Sequence, residues 1–338
     1  MRSVRCAIEE RRMPEPKTMR AAVIDRLGDA SELHLAEAPL PLRISDELLV
    51  RVVAAGVNPI DAKTRAGRGT AAAIESFPTV LGLDFAGIVE QVPYAAHPLQ
   101  PGDAVYGMGR YPRGGGSYAE YISVSSMSVL PKPASLSFAE AAATPVAALT
   151  AWGMVVDLAK AHQGQRMLVH AGAGGVGHFA VQFARFFGAH VTATGSASNA
   201  EFLRGLGAHE TIDYRSERFE ERVRDIDVVI DLIGNVHADT GTRSLDVLRP
   251  GGLLVNAPTG SWPSLAADAA ARGIRATGYN ISPDARTLAV ISRLIEQGQV
   301  RPHVDRVLPL AEAAEAHRLQ ETGHVRGKLV LRVDDELN

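Results

Sequence analysis

From Met19 to about Pro145 the apolar and polar positions fall into short β-like runs separated by Gly and Pro: Met19–Ile24, Glu32–Glu37, Glu47–Ala54, Phe85–Val92, Ala104–Tyr106 and Tyr118–Val124. This pattern predicts an all-β, barrel-like region, with Pro101-Gly102-Asp103 as a tight turn in which Gly takes a positive φ. After about Val146 short apolar runs alternate with helical stretches, the signature of crossover units in a parallel sheet. The predicted strands are Arg166–His170, His190–Thr194, Glu210–Asp213, Val228–Leu232, Gly252–Asn256 and Ile274–Gly278, the strand number of a doubly wound nucleotide-binding fold. From Asp284 onward the alternation stops. A helix to about Gln297, a strand near Val304–Leu308, a helix around Ala311–Glu321 and a last strand, Lys328–Val333, are expected to close back on the first region. The expected division is an extension over 1–18, a discontinuous β domain over 19–145 and 285–338, and a nucleotide-binding domain over 146–284.

The length of 338 residues suits about two domains at roughly 150 residues each. Hydrophobic residues at 46% and charged residues at 22% exclude disorder as the main state. A net charge of −3 supplies no global field for a nucleic acid or an anionic membrane. The single cysteine, Cys6, excludes an internal disulfide framework and any zinc site built on two or more thiolates. The uncharged stretch Ala141–Val156 is shorter than the roughly 20 residues of a membrane span and contains Pro145, so it reads as a buried segment. Residues 1–18 lack the apolar region of a secretory signal and read as a disordered extension, which makes a cytoplasmic location the expectation.

The strand ending at His170 runs into Ala171-Gly172-Ala173-Gly174-Gly175-Val176-Gly177, a G-x-G-x-x-G turn at Gly172, Gly174 and Gly177. Val176, Phe179, Ala180, Phe183 and Ala184 then mark the apolar face of a helix, with His178, Gln182 and Arg185 on the other face. Strand, glycine turn and amphipathic helix together form a dinucleotide fingerprint. In it Gly172 permits the tight turn, Gly174 admits the pyrophosphate and Gly177 lets the helix pack on the sheet, while the helix amino terminus at Gly175 and Val176 faces the phosphates. Selectivity for NAD needs a carboxylate at the end of the second strand, yet His190 to Ala200 contains none. Gly195, Ser196, Ser198 and Asn199, with Tyr214, Arg215 and Arg204 nearby, leave room and donors for a 2′-phosphate, so NADPH is expected over NADH. Ser198 and Asn199 would equally suit the cap of the following helix.

Four segments carry a family resemblance: Ala55-Gly56-Val57-Asn58-Pro59-Ile60-Asp61, Leu81 to Gly87, Pro101 to Gly107, and Arg326-Gly327-Lys328-Leu329-Val330-Leu331. With the glycine turn they resemble the medium-chain dehydrogenase/reductases, and among those the zinc-independent quinone oxidoreductases, over almost the entire chain from Met19 to Val333. The resemblance implies a GroES-like β domain completed by the carboxyl-terminal segment beside a Rossmann domain, with the active site between them. Zinc-dependent relatives carry a cysteine where this chain has Asn58 and a His-Glu pair where it has Leu83-Asp84, and an amide and an aliphatic chain are poor zinc ligands. No metal site is expected. The family pattern implies Asn58 near the nicotinamide, as cofactor contact and as donor to the growing oxyanion, although bracing the turn before Pro59 accounts for it equally. Asp61 is a candidate catalytic group beside Lys63, or one half of a solvated surface pair. Thr144 and Lys328 match positions lining the nicotinamide, and Gly107 to Gly116, with Tyr111 and three consecutive glycines, is a candidate lid. A tyrosine found in enoyl reductases of the superfamily has no counterpart in Ala66-Gly67-Arg68-Gly69.

These features imply a metal-free reductase carrying hydride from NADPH to a quinone or similar α,β-unsaturated carbonyl, and the resemblance implies a homodimer, since relatives pair through the strand that corresponds to Ile274–Gly278. An enoyl or alkenal reductase shares the same residues, and a crystallin-like protein that only binds NADPH remains the non-enzymatic alternative. No Tyr-x-x-x-Lys pair, G-x-S-x-G elbow or P-loop occurs, which removes short-chain dehydrogenase, α/β-hydrolase and nucleotide triphosphatase chemistry.

Overall fold

In the computed structural model of the chain the described residues are 18–110 and 116–334. The expected extension up to residue 17 lies outside them, as do Tyr111, Gly114 and Gly115 of the candidate lid. The first part contains β1 (Thr18–Ile24), β2 (His34–Pro39), β3 (Glu47–Val57), β4 (Thr79–Val80), β5 (Asp84–Gln91), β6 (Ala104–Met108), β7 (Tyr121–Ser125) and β8 (Val129–Pro131). β2, β1 and β4 form one antiparallel sheet. It is tied to the segment before β7 by Ala22 N–H to Tyr118 O at 2.8 Å and Glu120 N–H to Arg20 O at 3.0 Å. Gly102 takes φ +97°, and Asp103 N–H closes on Gln100 O at 3.0 Å, the turn that Pro101-Gly102 dictates.

The all-β reading of this region is corrected by two short helices, α1 (Pro59–Arg65) and α2 (Phe138–Ala142). Each has a local start signal that the surrounding strand pattern obscures. Asn58 is extended and Pro59 fills the first helical position of α1, whereas Ser137 and Glu140 close a capping box on α2. The apolar stretch beginning at Ala141 breaks at Thr144, and α3 (Pro145–Trp152) follows with Pro in its first turn. Among the described residues no helix is long and apolar enough to cross a membrane.

β9 (Arg166–Val169), β10 (His190–Gly195), β11 (Glu210–Asp213), β12 (Ile226–Asp231), β13 (Leu248–Asn256) and β14 (Arg275–Gly278) form a wholly parallel sheet in the order β11-β10-β9-β12-β13-β14. The order reverses between β9 and β12, the switch point at which such sheets open a crevice beyond their strand ends. α4 (Gly175–Phe186) follows β9, and α5 (Ala200–Gly205) follows β10. β15 (Val304–Pro309) and β16 (Lys328–Arg332) return to the first region, as expected. β16 runs antiparallel to β3 with Leu329 opposite Val57, within a seven-stranded sheet.

One apolar cluster spans the parallel sheet and its helices through Met167, Val169, Phe179 and Phe183, and continues through Ala142, Ala147 and Tyr106 to Val330 of β16. The β region has its own core around Leu48, Val50, Phe85 and Ile122. The expected polar face of α4 is corrected at two positions, since His178 and Gln182 are buried. Gln182 pairs with both Arg301 N–H and Arg301 O, and His178 Nε2 accepts His303 N–H at 3.2 Å. They supply partners for the backbone of Arg301 and His303.

Candidate active site

The glycine turn joins β9 to α4, whose first N–H groups have no intrahelical partner and carry the positive end of the helix dipole. The left-handed residue of the turn is Ala171, at φ +48°. Gly172 is required for space: a Cβ there would lie 3.0 Å from both Ala193 Cβ and Leu203 Cδ2. Gly177 has the expected role, because its Cβ would stand 2.1 Å from Ala171 O. At Gly174 the nearest atom to a Cβ is Ala171 O at 3.3 Å, so the turn keeps an open face for a pyrophosphate. Gly175 lies under the side chain of Lys328, whose Cδ would be 3.2 Å from an added Cβ.

At the end of β10, Gly195 packs against Leu203 and Ser196 opens a loop without carboxylates. The following helix, α5, has Asn199 and not Ser198 at its N-cap, and Asn199 makes no capping bond with its side chain, so the capping alternative does not account for them. Ser196 Oγ instead meets Ser198 Oγ at 2.9 Å and accepts from Asn199 Nδ2 at 3.2 Å. Tyr214 is exposed, with its N–H on Gly195 O at 3.2 Å and Arg215 beside its ring. A cavity of about 220 Å³ lies here, lined by Gly195, Ser196, Arg204, Thr211 and Asp213 among others. The sequence reading missed the role of Arg326 in this region. Its Nε donates to Asn199 Oδ1 at 2.7 Å and its Nη2 to Ser198 O at 3.1 Å.

At the other end of the turn, β3, β5 and β16 bring Asn58, Asp84 and Lys328 together. The register sets Lys328 one residue outside the Val57 to Leu329 pair, so it reaches Asn58. Its Nζ donates to Val57 O at 2.9 Å and to Asn58 Oδ1, and lies 3.4 Å from Asp84 Oδ2. Asn58 Nδ2 donates to Asp84 Oδ2 at 2.9 Å. Asp84 Oδ1 accepts Val146 N–H at 2.8 Å, the first free donor of α3 after Pro145. All three side chains are buried. Burial pushes the Asp84 carboxyl up and the Lys328 ammonium down, while their mutual attraction opposes both shifts.

Asp61 is not a cleft group or half of a surface pair, as the sequence reading had it. It is fully buried, accepting Asn58 N–H at 2.9 Å and Tyr118 O–H at 3.0 Å on Oδ2. Its Oδ1 has no partner among the described residues. Burial raises its pKa to about 7, with repulsion from Asp84 adding and the bonds from Asn58 and Tyr118 opposing. Arg65 Nη1 faces His317 Nδ1 at 3.0 Å, and since Arg can only donate, His317 carries its proton on Nε2 and donates to Tyr118 at 3.2 Å. Burial, reinforced by Arg65, lowers the His317 pKa to about 3 and keeps the ring neutral. Lys63 turns away toward Thr259 O at 3.4 Å, and the Thr144 hydroxyl donates to Glu140 O at 2.8 Å. Beside Asp84, Leu83, Met108 and Val146 form a small apolar cluster with Ile60 and Ile281.

The profile described as "Alcohol dehydrogenase GroES-like domain" matches residues 44–134, and that described as "Zinc-binding dehydrogenase" matches residues 206–331. The Mus musculus protein named "NAD(P)H oxidoreductase RTN4IP1, mitochondrial" is 32% identical, across 93% of this chain and 89% of its own length. The "NADPH-dependent alkenal/one oxidoreductase, chloroplastic" of Arabidopsis thaliana is 35% identical, across 94% and 80%. The solved quinone oxidoreductase of Coxiella burnetii aligns with a TM-score of 0.89 at 38% identity, covering 94% of this chain and 100% of that one. The zinc in the second profile's description does not fit the residues here. The Asp84 carboxylate is already taken by Asn58, Val146 and a cationic amine, and the described residues hold no group of three His, Cys, Asp or Glu placed to bind a metal. The chain therefore belongs to the quinone oxidoreductase family of the medium-chain dehydrogenase/reductases, and it is an oxidoreductase that works with a nicotinamide dinucleotide.

Proposed function

We propose that the protein is a zinc-independent reductase that uses NADPH to reduce a quinone or another α,β-unsaturated carbonyl. The observation that carries this reading is the buried junction of Lys328, Asn58 and Asp84 beside Gly175, where amide and ammonium donors stand in place of a metal. When bound, NADPH supplies the hydride. Reduction of a conjugated carbonyl builds negative charge on its oxygen, which must be met by placed donors. Asn58 Nδ2 uses one of its two N–H groups on Asp84, and the second is assigned to that oxygen or to the cofactor carboxamide. Lys328 grips the amide oxygen and so fixes which end of Asn58 donates. Asp84, with its carboxylate fully engaged, acts as a positioning residue, as does Asp61 through the Asn58 backbone. The apolar surface of Leu83, Met108, Val146, Ile60 and Ile281 is assigned to the flat, weakly polar face of the acceptor.

The relatives named for alkenals and for quinones favour soft conjugated acceptors as a class. The deciding experiment is an NADPH-oxidation screen over quinones, enals, enones and saturated aldehydes. Turnover confined to conjugated acceptors is expected; tight NADPH binding with no turnover on any acceptor would leave only the cofactor-binding, crystallin-like alternative. In the same reading residues 19–145 with 285–338 and residues 146–284 are the two domains, and the cofactor lies between them against Thr144, the turn from Gly172 to Gly177, Gly195, Ser196, Asn199, Tyr214 and Lys328. A homodimer is proposed through β14, the edge strand of the parallel sheet, and a monomeric mass by light scattering would refute it. A cytoplasmic location is also proposed, and recovery in an organelle fraction would refute it.

A further inference from the structure

The loop after β10 is held by a residue that arrives from 127 positions away. Arg326 donates through Nε to Asn199 Oδ1 and through Nη2 to Ser198 O, and its guanidinium lies 5.3 Å from the centre of the Phe202 ring. Phe202 is in turn backed by the His303 ring at 4.7 Å. The guanidinium has five N–H donors in a rigid fork, and these two bonds use two of them. No carboxylate among the described residues forms an ion pair with it, although many of the chain's other arginines are paired with one. A half-buried cation without a counter-charge, set over an aromatic ring and bonded to the loop of Ser198 and Asn199, has the chemistry of an anion site.

The position of Arg326 is set by the chain and not by chance rotamers. Gly327 N–H donates to Ala173 O at 2.8 Å, inside the glycine turn. Gly327 has φ +70°, and a Cβ there would lie 2.2 Å from His303 O. Arg326, Gly327 and Lys328 thus touch the ribose loop, the phosphate turn and Asn58 in succession.

We propose that Arg326, presented on the Phe202 ring, is the residue that selects a 2′-phosphorylated adenosine ribose, with Ser196 and Ser198 as neutral partners. This rests on the NADPH reading above and names the residue responsible for it. A dinucleotide with a free 2′-hydroxyl gains nothing from the unused guanidinium donors, so this side chain adds to the donors at Arg204 only when the 2′-phosphate is present. Asn199 receives Arg326 when the loop is empty of phosphate and is a positioning residue for it.

The test is calorimetric binding of NADPH, NADH, 2′,5′-ADP and 5′-AMP to the wild-type protein and to Arg326→Gln and Arg326→Lys, with thermal melts confirming that both variants fold. Wild type is expected to bind NADPH more tightly than NADH, and 2′,5′-ADP more tightly than 5′-AMP. Arg326→Gln, which keeps a donor for Asn199, is expected to weaken NADPH and 2′,5′-ADP roughly 10- to 100-fold, the worth of a charge-assisted bond. NADH and 5′-AMP should change less than about twofold, and Arg326→Lys should fall between. A wild type without preference would overturn the NADPH reading itself. A wild type that prefers NADPH, with variants that keep the same preference, would overturn the assignment of Arg326 alone.

Discussion

Replacing Asp61 by Asn tests whether the buried carboxyl titrates as its surroundings dictate. The group has an ordinary pKa of 3.8 and is raised to about 7 in the folded chain, burial being the largest cause. With the folded value above the unfolded one, the native state binds more protons between these limits, and the stabilisation is complete below pH 3.8 and lost as pH rises through 7. At about 1.4 kcal/mol per pKa unit the interval amounts to a ceiling of about 4 kcal/mol. In Asp61→Asn the amide oxygen takes over the bonds from Asn58 N–H and Tyr118 O–H, and the amide nitrogen falls where Oδ1 has no partner among the described residues. Urea unfolding of the cofactor-free protein, followed by the fluorescence of Trp152 and Trp262 from pH 4 to 8, reads the difference. The two proteins should be close in stability near pH 4, with the variant gaining progressively above it, by up to the ceiling at pH 8. Parallel curves across the whole range would refute the reasoning, because they would mean that Asp61 keeps its ordinary pKa inside the fold.

Lys328→Met leaves the Asp84 carboxylate buried without its cation, which costs about 3–5 kcal/mol, and should lower the melting temperature as well as the turnover number. Tyr118→Phe removes the hydroxyl between His317 Nε2 and Asp61 Oδ2 and should cost about 1–3 kcal/mol in chemical denaturation, without altering the NADPH to NADH affinity ratio. Gly177→Ala drives a Cβ against the Ala171 carbonyl and should abolish dinucleotide binding by calorimetry, whereas Gly205→Ala, with open space around its Cβ, should not. Dialysis against a strong chelator should leave quinone turnover unchanged, with less than one zinc per chain by elemental analysis; one zinc per chain lost together with activity would refute the metal-free reading.

What the sequence conveyed well was periodic and local. Six apolar runs spaced by helices dictated the parallel sheet, and the glycine spacing identified the turn, because both arise from contacts within a few tens of residues. The details of the turn were less accessible. That Ala171 takes the left-handed conformation has no mark in the glycine spacing, and the neighbours that crowd Gly172, Ala193 and Leu203, come from β10 and α5. The same holds for charge. Asp61 and Lys63 look like a surface pair in a string of letters, yet the first turn of α1 buries one beneath Tyr118 and sends the other toward Thr259. His178 and Gln182 read as solvent-facing because they are polar, although they are buried for that very property, as partners of backbone at 301 and 303. Arg326 could be noticed only as a letter in a motif, since nothing local connects it to Asn199.

The pairing of β16 with β3 also sets a timetable. β3 emerges from the ribosome early and β7 pairs its Glu47–Arg51 stretch, but the partner for Ala54–Val57 and the counter-charge for Asp84 arrive only with residues 328–332. Until then the nascent chain has an unsatisfied strand edge, a buried acid lacking its cation, and a glycine turn without the Gly327 bond that braces it. Cofactor binding is therefore coupled to the docking of β16, so that dinucleotide stabilises chains in which this strand has taken its place.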